Sequence, residues 1–180
     1  MARPTFQEWL AALTNSKRRK ALELLGKFHA LGADDPEGWV RSEISEGIAQ
    51  FARYLMLRAI WPDQIDIRAR VPEEWIDRAT SAADKTDGYF ADAGRALSRA
   101  LAAGVSREDL GAIARMVAYE TAFGVLDRID EGHEPAAGDD APGWVLMETD
   151  PEGNLTGRTV DGLHEDVLSM DPTGREGKPA

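Results

Sequence analysis

The chain contains no cysteine. That absence removes disulfides, thiolate metal sites and thiol nucleophiles from its chemistry. Histidine is scarce as well: His29, His133 and His164 are the only three. A Ser–His–Asp set has little to draw on, no serine stands in a Gly-x-Ser-x-Gly elbow, and a three-histidine metal site would need three remote regions to meet. No apolar run approaches the roughly 18 residues of a membrane span, and the first residues lack the apolar core of a secretion signal. Basic charge is in short supply too, with 21 Lys and Arg against 32 Asp and Glu and a formal net charge of −11. An acidic surface repels nucleic-acid phosphates and anionic lipid. These absences lead to the expectation of a soluble, cytoplasmic protein that binds neither nucleic acid nor membrane.

What is present is enough for a core. Of the 180 residues, 43% are hydrophobic, too many for general disorder. Charge is spread unevenly. Residues 1–31 hold six basic and two acidic residues, residues 32–131 twelve and nineteen, and residues 132–180 three and eleven. Lys17, Arg18, Arg19 and Lys20 form the one basic cluster. Such a short run is read first as the solvated opening turn of a helix.

The pattern along the chain is helical. Thr5 and Glu8 have the spacing of a capping box and open a helix to about Leu13. Ser16 is expected to cap a second helix over about 17–31, closed by Gly32. Asp35-Pro36 starts a third over about 36–60, with Val40, Ile44, Ile48, Phe51 and Leu55 at helical spacing and Trp61-Pro62 as its stop. Val71-Pro72 starts a fourth, with a break near Asp84–Gly88. A fifth over about 88–103 is rich in Ala and Gly, which lets a neighbouring helix approach closely. Ser106 and Asp109 cap a sixth that runs to about Glu131. After a Gly- and Pro-rich stretch, Trp144–Thr149 and Leu155–Val160 flank an Asp150–Asn154 turn as two strands. The fold class expected is mainly α: a bundle-like domain of about six helices with a C-terminal β-hairpin appendage. The domain spans 1–131, a linker 132–143, the hairpin with a short helix 144–170, and a flexible tail 171–180. A lone hairpin is marginal in water. It is expected to dock on the helices, anchored by Trp144, Leu146 and Leu155, or to pair with a second chain.

Two stretches stand out as nearly free of charge. Phe51–Trp61 carries only Arg53 and Arg58, and Met116–Leu126 only Glu120. Helices apolar nearly all round are buried, and a charge that enters a core must be paired. The two stretches are therefore expected to pack together, with Glu120 bonded to Arg53 or Arg58. As a functional residue, Glu120 is instead a candidate buried general acid or base, with Glu46 a second catalytic candidate.

Acidic pairs supply the one hint of metal chemistry. Glu43 and Glu46 stand at i, i+3, as do Asp127 and Asp130, and two helices each offering such a pair can hold Mg²⁺ or Mn²⁺ through oxygen. The arrangement resembles the all-α nucleotide pyrophosphohydrolases of the MazG type, which use Glu-x-x-Glu and Glu-x-x-Asp pairs on adjacent helices. The resemblance covers two short pieces. It implies a metal-dependent hydrolase of a phosphorylated small molecule. The chain departs from that family in the roughly 80 residues between its two pairs, and in having Asp127 where the family has glutamate.

Trp39 and Trp75 lie at helix N-termini and Trp144 opens a strand, so these three are candidate binding residues should their edges prove accessible. The acidic charge, the missing catalytic constellation and the strand edges together favour a macromolecular binding or accessory module. An inhibitor- or immunity-type role fits, with a protein partner that could include a second copy of the chain.

Overall fold

The computed structural model describes residues 4–83, 89–138, 140–174, 176 and 178. It is mainly helical, with one two-stranded antiparallel sheet near the C-terminus. In chain order the elements are α1 (Phe6–Ala12), α2 (Asn15–Ala30), α3 (Pro36–Glu46), α4 (Gln50–Ile60), a π-helical turn (Trp61–Ile65), α5 (Ile67–Arg70), α6 (Pro72–Ala82), α7 (Ala91–Ala102), α8 (Arg107–Glu131), a 3₁₀ turn (Pro135–Ala137), β1 (Met147–Thr149), β2 (Leu155–Thr159) and α9 (Leu163–Asp166). The break expected near Asp84–Gly88 lies outside the described residues, as do residues 175, 177, 179 and 180 of the expected tail. The chain forms two compact units, Met1–Met56 with Ile129–Leu163 and Leu57–Arg128 with His164–Ala180.

In the first unit, the Thr5–Glu8 capping box forms as its spacing predicts, Glu8 Oε2 accepting from the Thr5 N–H at 2.8 Å. Helix α2 begins two residues earlier than expected. Its N-cap is Thr14, whose hydroxyl accepts from the Lys17 N–H, and Ser16 is the second helical residue. The basic cluster is more than a solvated turn, because Arg18 donates to the Leu10, Ala11 and Leu13 carbonyls at the C-terminal end of α1. The single helix expected over 36–60 is two. Gly47 takes φ of +80° and closes α3, its N–H reaching the Glu43 carbonyl at 3.2 Å. The apolar period runs on through the break, which is why periodicity alone hides it. Phe28 and Val40 are fully buried. Phe28 stacks on Trp39 and meets Phe51 and Tyr54 edge-on, both at 5.2 Å between centroids.

The hairpin belongs to this unit. Its register is irregular between Met147 and Thr149, and Gly157 opposite takes φ of +80°. A bulge of this kind re-aims side chains, and here it turns Arg158 inward. The anchors differ from those expected. Trp144 is 41% and Leu155 67% exposed, Leu146 is half-buried, and Val160, Leu163 and Arg158 tie the segment down.

In the second unit, Trp61-Pro62 does not stop the helix. Pro62 has no N–H to give, and the backbone widens so that the Asp66 N–H reaches the Trp61 carbonyl at 2.7 Å, five residues back. Trp61, Ile65, Ile76 and Val167 are fully buried. Helices α6 and α7 pack through a glycine, as the small-residue composition predicts. A Cβ on Gly94 would stand 2.1 Å from the Ala79 carbonyl oxygen and 3.0 Å from the Ala83 Cβ. Gly94→Ala should therefore push the two helices apart and destabilise by about 1–3 kcal/mol, against the small gain that alanine brings to a free helix. Urea unfolding checks this, and a stabilised variant would show that the contact yields freely.

Candidate functional site

The most strongly built polar cluster lies in the first unit. The Glu43 side chain is 1% exposed. Its Oε2 accepts from the Phe51 N–H at 2.9 Å, so the carboxylate caps α4 at the helix end whose dipole favours negative charge. Its Oε1 accepts from Arg158 Nη1 at 2.9 Å, with Lys20 Nζ at 3.6 Å. Arg158 also binds Glu148 through Nε and Nη2 and reaches the Ile48 carbonyl, and Thr156 donates to the same Glu148 carboxylate. Burial pushes the Glu148 carboxyl up, yet the hydrogen bonds from Arg158 and Thr156 hold it below the usual glutamate range. A cleft of about 550 Å³ opens beside this cluster, lined among others by Lys20, Lys27, Phe51 and Leu55. Its charges are already paired: Lys27 binds Glu23 at 2.7 Å and lies over the Phe51 ring, and Lys20 faces Glu43. With every Glu43 oxygen and Arg158 nitrogen committed, the cluster holds the hairpin against α3 and α4.

The second unit has a buried polar centre of its own. Arg115 on α8 binds Asp66 at 2.7 Å and Asp171 at 3.5 Å and stacks over Trp61, whose Nε1 donates to the Val167 carbonyl at 2.6 Å. Asp171 is fully buried at the point where a tail was expected to begin, and it accepts from the Thr173 N–H and hydroxyl.

The apolar stretch on α8 departs most from expectation. Met116, Val117 and Val125 are each 50% exposed or more, Ile113 is exposed to the same degree and Phe123 somewhat less, while on the whole 25-residue helix only Gly111 and Leu126 are buried. Glu120 is exposed and, among the described residues, has no hydrogen-bond or ion-pair partner. The pairing expected of it does not occur: Arg53, which is buried, donates to the Gly162 carbonyl, and Arg58 is exposed. The Phe51–Trp61 half of the expectation holds in part: Tyr54, Leu57 and Trp61 are buried, while Leu55, Arg58 and Ala59 are exposed. Helix α8 packs on its unit through Gly111, Arg115 and Tyr119, the last two against Trp61, yet it leaves most of its apolar side chains to water. Beside it, in the same unit, lies a cleft of about 890 Å³ with Met116, Tyr119 and Glu120 on one wall and Trp61, Ile65 and Leu168 among the others.

The remaining candidates are dispersed. Glu46 is exposed on the last turn of α3. Asp127 faces His164 Nε2 at 3.8 Å, and Asp130 is half-buried with a partner. Among the described residues no group of three His, Asp or Glu is placed to hold a metal ion. Adding Mg²⁺ or Mn²⁺ should therefore leave the melting temperature unchanged; a rise that Glu46→Gln removed would restore the hydrolase reading, since a ligand that binds only the folded state stabilises it. Trp39 is spent on the Phe28–Tyr54 cluster, Trp75 is half-buried with Nε1 on the Arg68 carbonyl at 2.8 Å, and Trp144 keeps an exposed ring. Among the described residues no helix is long and apolar enough to cross a membrane. No family model, curated protein or solved structure matches the chain.

Sequence reasoning missed Arg158, Glu148, Asp171 and the exposure of α8. The first three are ordinary charges in Gly- and Asp-rich surroundings, and only tertiary contact distinguishes them. The α8 face was visible as composition but was assigned to the wrong partner.

Proposed function

We propose that this chain is a cytoplasmic macromolecular binding module, of the accessory, inhibitor or immunity type, that engages a protein partner through α8. One observation carries the reading: Ile113, Met116, Val117, Phe123 and Val125 stand exposed along a single helix. Apolar side chains scattered singly need no explanation, but five exposed on one helix favour burial against another macromolecule. Helix-in-groove and helix-on-helix recognition both bury apolar side chains along one helix.

A photo-cross-linking residue placed at Val117, in cells that produce the chain, tests the reading against the same residue at Arg78, an exposed position on α6. The expected result is a discrete adduct from position 117, none from position 78, and loss of the adduct when Met116→Asp is added. Equal labelling from both positions, or none from either, would overturn it.

A further inference from the structure

Building on the binding reading, we infer that the α8 face docks an amphipathic helix of a different, basic protein, with a Lys or Arg of that helix set against Glu120. Five observations converge on this partner.

Ile113, Val117, Glu120 and Gly124 follow one another at spacings of four, three and four. That is the seam a second helix reads when it packs along the first. Nothing lies within 4 Å of the place a Gly124 Cβ would occupy, so a partner backbone has room to come close. The cleft of about 890 Å³ runs beside the seam, with Met116, Tyr119 and Leu168 on its walls together with the charged Asp66, Arg70 and Arg115. It suits one bulky anchor side chain from the docked helix.

Charge selects among occupants. Glu120 lies within the seam and is unpartnered among the described residues. Covering the seam takes its carboxylate out of water, which is costly unless a cation goes in with it. A second copy paired about the middle of the apolar face does not supply that cation. The exposed apolar side chains run from Ile113 to Val125, centred on residue 119. Antiparallel two-fold pairing about that centre places the two Glu120 residues only about 3 Å apart along the axis, and parallel pairing sets them side by side. Either way two carboxylates are buried against each other. The unit bearing the seam also has more acidic than basic residues, in a chain of net charge −11, which repels a copy and draws a basic partner.

The test uses the whole chain and two peptides of roughly 20 residues, one a helical repeat of Leu and Lys and the other the same repeat with Glu for Lys. Binding is read by fluorescence anisotropy at physiological salt. The Leu/Lys peptide should bind about tenfold or more tighter than the Leu/Glu peptide, and Glu120→Lys should shrink or invert that preference. Val117→Asp separates docking from plain charge attraction. It makes the chain more acidic, so bulk attraction predicts tighter Leu/Lys binding, while docking on the seam predicts binding about tenfold weaker. Both positions are exposed, and unchanged circular dichroism confirms that the variants fold. Unchanged or tighter binding by Val117→Asp overturns the inference. So does equal affinity for the two peptides, or a wild-type dimer in sedimentation that Val117→Asp dissociates. If the peptide preference fails while the Val117 cross-link persists, only the partner's chemistry is wrong. If both fail, the binding reading goes with it.

Discussion

Trp61→Ala should lower the unfolding free energy by about 3–5 kcal/mol, the loss expected for emptying a fully buried tryptophan site. Trp61 is 1% exposed. Its indole carries three kinds of contact at once: apolar packing in the second unit, the Nε1–Val167 carbonyl bond at 2.6 Å, and the Arg115 guanidinium over the ring at 5.3 Å. Trp61→Phe keeps part of the packing and drops the hydrogen bond, leaving the Val167 carbonyl without its donor, so it should fall in between. Equilibrium urea unfolding of the three proteins gives the comparison. A Trp61→Ala protein within 1 kcal/mol of wild type would show that the surroundings collapse onto the gap.

Glu43→Ala should cost about 3 kcal/mol, the lower part of the range for breaking a buried ion pair from one side. The lower part applies because Arg158 keeps Glu148 and the Ile48 carbonyl. The variant also uncaps α4 at Phe51. Arg158→Ala should be costly in its own right, since it leaves the Glu43 carboxylate inside with only Lys20 and a backbone N–H. The double variant should lose clearly less than the sum of the two. Additive losses would mean that the pair does not interact.

How legible each feature was depended on the range of the forces behind it. Thr5 with Glu8, Asp35 with Pro36 and Gly104 after α7 are local devices, and the helix boundaries they predict are found. The close α6–α7 approach was legible from α7 composition, because only missing side-chain bulk allows it. The α3–α4 break was not. It depends on a carboxylate from the last turns of one helix capping the next, and Glu43 reads in sequence as half of an i, i+3 acid pair. The same residue was therefore marked as a metal ligand when its three bonds are structural. Arg158 was invisible for a different reason, since a bulge at Gly157 takes it out of the strand alternation on which sequence reading depends. On α8 the composition was read correctly and the consequence was not: hydropathy says that a surface avoids water, and leaves open what covers it.

The Glu43–Arg158 contact spans 115 positions of sequence, and this bears on the order in which a nascent chain matures. The first unit draws on both Met1–Met56 and Ile129–Leu163. Synthesis delivers α2, α3 and α4 early, with Glu43 capping α4 and Arg158 not yet made. Most of the second unit then emerges before residue 158 leaves the ribosome. Through that interval the α4 cap is the carboxylate's main compensation, and the hairpin closes the first unit last. A chain stalled shortly before Arg158 should thus present a loosened first unit, open to proteases at the α3–α4 junction, while a chain released beyond Leu163 should not.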